Sequence, residues 1–293
     1  MPNTHASLPV RPTAAGPRSN YLRCAGREIH FTEWGVEHSR SVIAWHGLAR
    51  TGRDMDPLAA QLAQHYHVIC PDTLGRGLSQ WSPQPEQEYC LDFYVHQAQA
   101  LANQLGLAQF HWVGTSMGGA IGMVAAATRL KGRILSLVLN DIGPEMAAPA
   151  VQRIRSYAGR PEAFDSVSEL EQYFRKIYQP YGWISPEQWR LLTESSVRRL
   201  PDGRVTPHYD PAMAGQFEHH PDDYKLWSVW DQLNLPVLAL RGEHSDLLLP
   251  EVAQAMRERG PRAQVVELPD CGHAPALNVP LHWDLIEQFL AKY

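Results

Sequence analysis

Ser116 lies in Gly114-Thr115-Ser116-Met117-Gly118, a G-x-S-x-G spacing within "FHWVGTSMGGAIGMVAAA". The residues before it read as a buried strand and those after it as a helix. A serine on a sharp strand-to-helix turn is held in strained backbone geometry, its hydroxyl is pushed out above the sheet, and flanking glycines allow the close approach of strand and helix. The bland alternative is a glycine-rich N-cap that merely starts a helix. A serine hydroxyl is a poor nucleophile unless a base accepts its proton. Among 14 histidines, His273 stands in "PDCGHAPALNVP", directly after the last expected strand and at the sheet end where Ser116 should emerge. The base in turn needs an acid that holds its tautomer. Asp246 in "LRGEHSDLLLP" is preferred, and Asp141 in "LVLNDIGPE", otherwise a structural hydrogen-bonding residue, is the alternative. A developing oxyanion requires donors, and the backbone N–H groups of Met117 and of Leu48, in "HGLART", are the candidates. His46 is read as shaping that loop, and Arg50 and Arg53 as solvated residues at a helix start, with a pocket-facing side chain at either as the alternative.

Those side chains need a scaffold that brings distant segments to one end. After a hairpin ("YLRCAG", then "REIHFTEW"), buried-strand runs recur at "SVIAW", "HVIC", "FHWVG" and "ILSLVLN". Helical patterns alternate with them at "DMDPLAAQLAQH", "LDFYVHQAQALANQLG" and "MGGAIGMVAAATRL", which predicts βαβ units and a mostly parallel sheet. The alternation stops from about Pro144 to Tyr224, where the chain reads as helical and aromatic. It resumes with "PVLALRG", a helix from about Pro250, "QVVELP" and a last helix, "HWDLIEQFLAKY". The interruption predicts a helical lid inserted at one sheet edge, since ligand crevices form at the carboxyl ends of parallel strands. The expected organisation is a flexible tail at 1–18, a core at 19–143 and 226–293, and a lid at 144–225. Tyr178, Tyr181, Trp183 and Trp189 are candidate pocket-lining residues of that lid, against the blander reading that such aromatics form lid core. The adjacent His219 and His220 read as a solvated lid terminus, and no metal site is expected.

The 293 residues carry a formal charge of -5, with 44% hydrophobic and 19% charged residues. Such a balance gives nucleic acid or anionic lipid no basic surface and points to small neutral or weakly charged partners. The four cysteines are scattered without a CxxC spacing, so neither a disulfide framework nor a zinc site is indicated, and a cytoplasmic location is expected. No run approaches a membrane span. Oligomeric state is not legible.

The motifs "WHGLA", "PDTLGRGLS", "GTSMGG", and "GEHSD" with "CGHAP" together resemble the α/β-hydrolase fold superfamily from about Tyr21 to Tyr293. The resemblance implies an eight-stranded, mostly parallel sheet flanked by helices, with a substrate-determining lid between the sixth and seventh strands. It assigns nucleophile, acid and base to Ser116, Asp246 and His273, gives the oxyanion hole to Leu48 and Met117, and makes Asp72 and nearby glycines the shapers of a turn. Serine chemistry of this kind needs no cofactor. The function expected is hydrolysis of carboxylic esters of small to medium soluble substrates through an acyl-serine intermediate. The alternatives are a carbon–carbon bond hydrolase of ring-cleavage products, whose acidic substrates the cationic lid side chains would suit, and a non-catalytic ligand receptor.

Overall fold

In the computed structural model, which describes residues 16–293, ten strands and eleven α-helices follow one another among the described residues. The opening hairpin, β1 (Arg18–Cys24) and β2 (Arg27–Trp34), leads to β3 (Ser41–Trp45), α1 (Asp56–Leu62) and β4 (His67–Pro71). Then come α2 (Pro85–Glu88), α3 (Leu91–Gln104), β5 (Phe110–Thr115), α4 (Met117–Ala127) and β6 (Ile134–Asn140). The segment that breaks the alternation carries α5 (Ala148–Ala158), α6 (Val167–Ile177), α7 (Pro186–Glu194), β7 (Val197–Arg199), β8 (Val205–Pro207) and α8 (Gln216–His219). The chain closes with α9 (Trp227–Trp230), β9 (Val237–Gly242), α10 (Pro250–Glu258), β10 (Gln264–Leu268) and α11 (Pro280–Leu290). Most of the expected tail, residues 1–15, lies outside the described residues, and β1 already begins at Arg18.

Eight strands form one sheet in the order β1-β2-β4-β3-β5-β6-β9-β10. All pairings from β4 to β10 are parallel, and β2 joins β1 and β4 antiparallel. Alternating side chains divide between two cores, as the pleat requires. Ile43, Trp45, Phe110, Trp112, Leu137 and Leu139 face α3, α4, α9 and α10, while Val42, Ala44, Val113 and Val138 face α1 and α11. Trp45 and Trp112 stack at 5.2 Å beneath the end of the sheet that carries Ser116. Because β5 lies between β3 and β6, the loops leaving these three strands converge at one edge.

The insert is not purely helical. The three-residue strands β7 and β8 pair antiparallel within it, a ladder too short to produce a readable alternation. Its own small core gathers Leu170, Phe174, Tyr178, Trp189 and Val205. No described helix is long and apolar enough to cross a membrane, and all four cysteines are buried and free.

Candidate active site

Ser116 occupies the turn between β5 and α4 with φ 50° and ψ −116°. A non-glycine residue in this region costs about 1–3 kcal/mol and persists only where its surroundings enforce it. The enforcement comes from close packing. A Cβ on Gly114 would stand 2.3 Å from the Gly118 carbonyl carbon, and one on Gly118 would stand 2.3 Å from the Trp45 carbonyl oxygen. The Ser116 N–H donates to the Asn140 carbonyl at 2.9 Å, which ties the turn to the end of β6.

Ser116 Oγ lies 3.0 Å from His273 Nε2. On the other side of the ring, His273 Nδ1 meets Asp141 Oδ2 at 2.7 Å. The expectation for Asp246 is therefore not met by the geometry. Asp246 is about half exposed and pairs with Arg153 of α5 at 2.8 and 2.9 Å. Asp141 is fully buried and follows β6 directly, in a positive-φ conformation (55°). Its Oδ1 accepts from the Gly242 N–H at 2.8 Å, and its Oδ2 also accepts from Ser245 Oγ at 2.6 Å. The loop after β9 thus supplies the groups that hold the carboxylate, while the carboxylate itself comes from the loop after β6.

Asn140, next to it, was not singled out from the sequence. Its Nδ2 donates to Thr115 Oγ1 at 3.0 Å and to the Pro275 carbonyl at 2.8 Å, stitching the serine turn to the histidine loop. The insert holds that loop from above. Gly272 N–H donates to the Pro180 carbonyl at 2.6 Å and Ala276 N–H to the Tyr181 carbonyl at 3.0 Å.

The loop after β3 is braced as firmly. His46 Nδ1 donates to the Gly47 carbonyl at 2.6 Å, and its Nε2 accepts the Thr73 N–H at 2.9 Å. Since a trans peptide is planar, pinning the Gly47 carbonyl also fixes the Leu48 N–H in the opposite direction. The Leu48 carbonyl in turn accepts from Arg76 Nε at 2.9 Å. Arg76 is fully buried, and its Nη2 rests 3.7 Å from Met117 Sδ, so one guanidinium supports both residues expected at an oxyanion. We predict that His46→Ala lowers kcat about 10²- to 10³-fold, the cost of losing one such donor, with little change in KM. An unchanged kcat in a variant of native melting temperature would contradict this.

Burial lowers the His46 pKa to about 4 despite the nearby Asp72 carboxylate. Burial, with Arg40 in the second case, does the same for His282 and His111, both to about 4. Unfolded histidine titrates near 6.5. The unfolded chain therefore binds protons first as pH falls, so stability is full above about pH 6.5 and is lost as pH drops toward 4. The slope approaches about 1.4 kcal/mol per pH unit for each histidine. Urea midpoints measured at pH 7.5, 6, 5 and 4.5 are expected to decline stepwise, and a flat series would refute the assignment.

A second hydrogen-bonded Ser–His–Asp chain exists. Ser19 Oγ meets His30 Nε2 at 2.7 Å, and His30 Nδ1 meets Asp72 Oδ2 at 2.7 Å. Its setting differs from that of Ser116. Ser19 sits within β1, paired opposite Thr32, with no strained turn to project it. Asp72 is committed to the turn below, accepting the Gly52 N–H at 2.6 Å and the Leu78 N–H at 2.9 Å. Burial would raise the Asp72 pKa, but His30 and the other donors bring it below the usual carboxylate value.

A cleft lies beside Thr115 and Ala274, the chain neighbours of Ser116 and His273. It is bounded by residues of segments 46–57, 181–195 and 274–278 and by Thr115. Of the four insert aromatics, Tyr181 borders this cleft. Tyr178 and Trp189 are buried in the insert's own core, and Trp183 is 68% exposed. Arg50, for which the pocket is the alternative to the preferred solvated position, is 3% exposed and borders the cleft, because the insert closes over it. Arg53, at the same helix start, keeps about two-fifths of its side chain exposed.

Fold and site together define a chain of α/β-hydrolase architecture with a serine, a histidine and an aspartate in hydrogen-bonded sequence. Residues 40–278 match the alpha/beta hydrolase fold family, and the chain belongs to it. It is 37% identical to the 3-hydroxybutyrate-oligomer hydrolase of Cupriavidus necator, across 94% of this chain and 98% of that one. It is 27% identical to the N-formylmaleamate deformylase of Pseudomonas putida, across 96% and 93%. Among solved structures, an α/β hydrolase from Novosphingobium aromaticivorans superposes with a TM-score of 0.84 at 31% identity, across 95% and 99%.

Proposed function

We propose that this protein is a serine hydrolase that cleaves carboxylic esters, with short oligomers of 3-hydroxybutyrate as its substrate class. The observation that carries the reading is the chain Ser116–His273–Asp141, at 3.0 and 2.7 Å, on the strained turn after β5. The substrate class is supported by the Cupriavidus necator relative.

In this reading Ser116 Oγ attacks the ester carbonyl while His273 Nε2 takes its proton. Asp141 keeps the remaining ring proton on Nδ1 and stabilises the imidazolium. The Leu48 and Met117 N–H groups donate to the oxyanion. Met117 opens α4, where first-turn N–H groups have no partner within the helix. Collapse of the tetrahedral adduct breaks the bond to the leaving oxygen, which receives the proton from His273. A hydroxyl-ended fragment departs and an acyl-serine remains. Water, deprotonated by His273, attacks the acyl carbon, and the second collapse returns Ser116 and releases a carboxylic acid. The segment 144–225 acts as the lid over this site.

The test compares turnover of linear 3-hydroxybutyrate dimer and trimer, p-nitrophenyl butyrate and a vinylogous diketone acid. Release of 3-hydroxybutyrate with kcat/KM in the ordinary enzymatic range of about 10⁴ M⁻¹s⁻¹ or above is expected. Turnover of the diketone acid without any ester turnover would instead establish the carbon–carbon reaction.

A further inference from the structure

The hydrolytic steps leave the charged groups of the cleft unused, and Arg50 is the most buried of them. Arg50 presents Nε and Nη2 to Asp54, at 2.6 Å each, and Nη2 also reaches Ser196 Oγ of the insert at 2.9 Å. Its guanidinium lies 4.7 Å over the Tyr178 ring and 5.3 Å over Phe174. The Tyr178 hydroxyl also hydrogen-bonds the guanidinium, and Nη1 is buried without a partner of good hydrogen-bond geometry. Burial works against the charge, but Asp54 outweighs it and holds the Arg50 pKa well above the ordinary value. The group is thus a permanent cation, fixed in orientation by Asp54 on one edge and by the adjacent Phe174 and Tyr178 rings, whose centroids are 5.4 Å apart, on one side.

A buried charged donor without an acceptor is a standing cost that native structures rarely keep without a reason. The two carboxylates of the same cleft do not meet the need. Asp54 is engaged along the other edge of the guanidinium, and Asp56 pairs with Arg53 at 2.6 Å. The acceptor that the free edge lacks would be an anionic oxygen entering from the cleft that Arg50 borders, for which the side chains sealing Nη1 must part. Arg50 and Gly47, which precedes the expected oxyanion donor Leu48, border the same cleft.

We propose that Arg50 Nη1 receives the carboxylate of an acidic ester, making this cleft the subsite for the charged end of a hydroxyacyl oligomer. The proposal rests on the ester-hydrolase reading for the identity of the substrate. Arg–carboxylate pairing is directional and strong in a site shielded from water. It would align the chain across Ser116 and select free acids over neutral esters.

Binding without turnover separates the two ideas. Calorimetry on the Ser116→Ala protein compares the linear 3-hydroxybutyrate dimer with its carboxamide, which differs only in lacking the charge. The acid is expected to bind at least tenfold more tightly, and adding Arg50→Gln should bring the two ligands to within about twofold. Arg50→Lys, which keeps the charge and loses the fork, should retain part of the preference, and it serves where Arg50→Gln fails to fold. Equal affinities in the Ser116→Ala protein, binding of neither ligand, or a preference undiminished by Arg50→Gln would overturn the assignment. Turnover of p-nitrophenyl butyrate by the wild-type protein reports on the ester-hydrolase reading separately, since that ester carries no carboxylate.

Discussion

Ser116→Ala is expected to lower kcat on 3-hydroxybutyrate dimer and on p-nitrophenyl butyrate by about 10⁶-fold, the usual consequence of deleting a triad serine. The reason is chemical rather than structural. Alanine keeps the Cβ, so the turn after β5 retains its contacts, but no oxygen remains to form the acyl intermediate. The melting temperature should change little, and relief of a hydroxyl from a strained site does not add a cavity. Mass spectrometry after treatment with a fluorophosphonate should show one adduct on the wild-type protein, at Ser116, and none on the variant. The Ser19–His30–Asp72 chain makes this a sharp test. Labelling of Ser19 in the Ser116→Ala protein would mean that hydrogen-bonded geometry alone, without the strained turn, suffices for reactivity. Esterase activity that survives the substitution would remove Ser116 from the mechanism. Tight binding of the oligomer by a wild-type protein without turnover would make the molecule a receptor.

The second large effect separates two aspartates. Asp141→Asn is expected to reduce kcat about 10⁴-fold, whereas Asp246→Asn should leave it within about threefold. The hydrogen bonds around Asp141 explain the size of the first effect. Its Oδ1 accepts from the Gly242 N–H, so an asparagine there turns its oxygen toward Gly242 and its NH₂ toward His273. Nδ1 must then accept, the ring proton moves to Nε2, and the imidazole can no longer take the proton of Ser116. Asp246, by contrast, forms a half-exposed pair with Arg153, and such pairs contribute about 0–1 kcal/mol. Its loss should be visible, if at all, in the stability of the contact between α5 and the loop after β9. Comparable losses of kcat in both variants, each with native melting behaviour, would contradict the assignment.

Much of this site is legible in the amino-acid sequence. The serine turn, the histidine loop and the sheet that joins them follow from local signals: apolar runs of strand length, helical patterns between them, and glycines where strand and helix touch. The strand bounds at Ser41–Trp45 and Ile134–Asn140 coincide with the runs that predict them. The identity of the acid was not legible in the same way. Asp141 and Asp246 both follow strands at the correct end of the sheet, and both strands, β6 and β9, are neighbours. Nothing in the local sequence says which loop turns its carboxylate inward. The Ser245 that precedes Asp246, and whose hydroxyl holds Asp141, was the one available hint. Arg50 shows the same limit. Its spacing to Asp54 is that of a helix-surface ion pair, and only the insert packing Phe174, Tyr178 and Ser196 against it takes it out of water.

What the amino-acid sequence determined by itself was therefore the scaffold and the nucleophile–base pair, because strand and helix periodicity and glycine placement act over a few neighbouring residues. The tertiary structure alone decided which carboxylate meets His273, the burial of Arg50 and the separate fates of the insert aromatics. The first two depend on how segments more than 90 residues apart in the chain meet, as with Asp141 and His273 or Arg50 and Ser196, and the first also on a backbone conformation at Asp141 that the residues beside it do not announce.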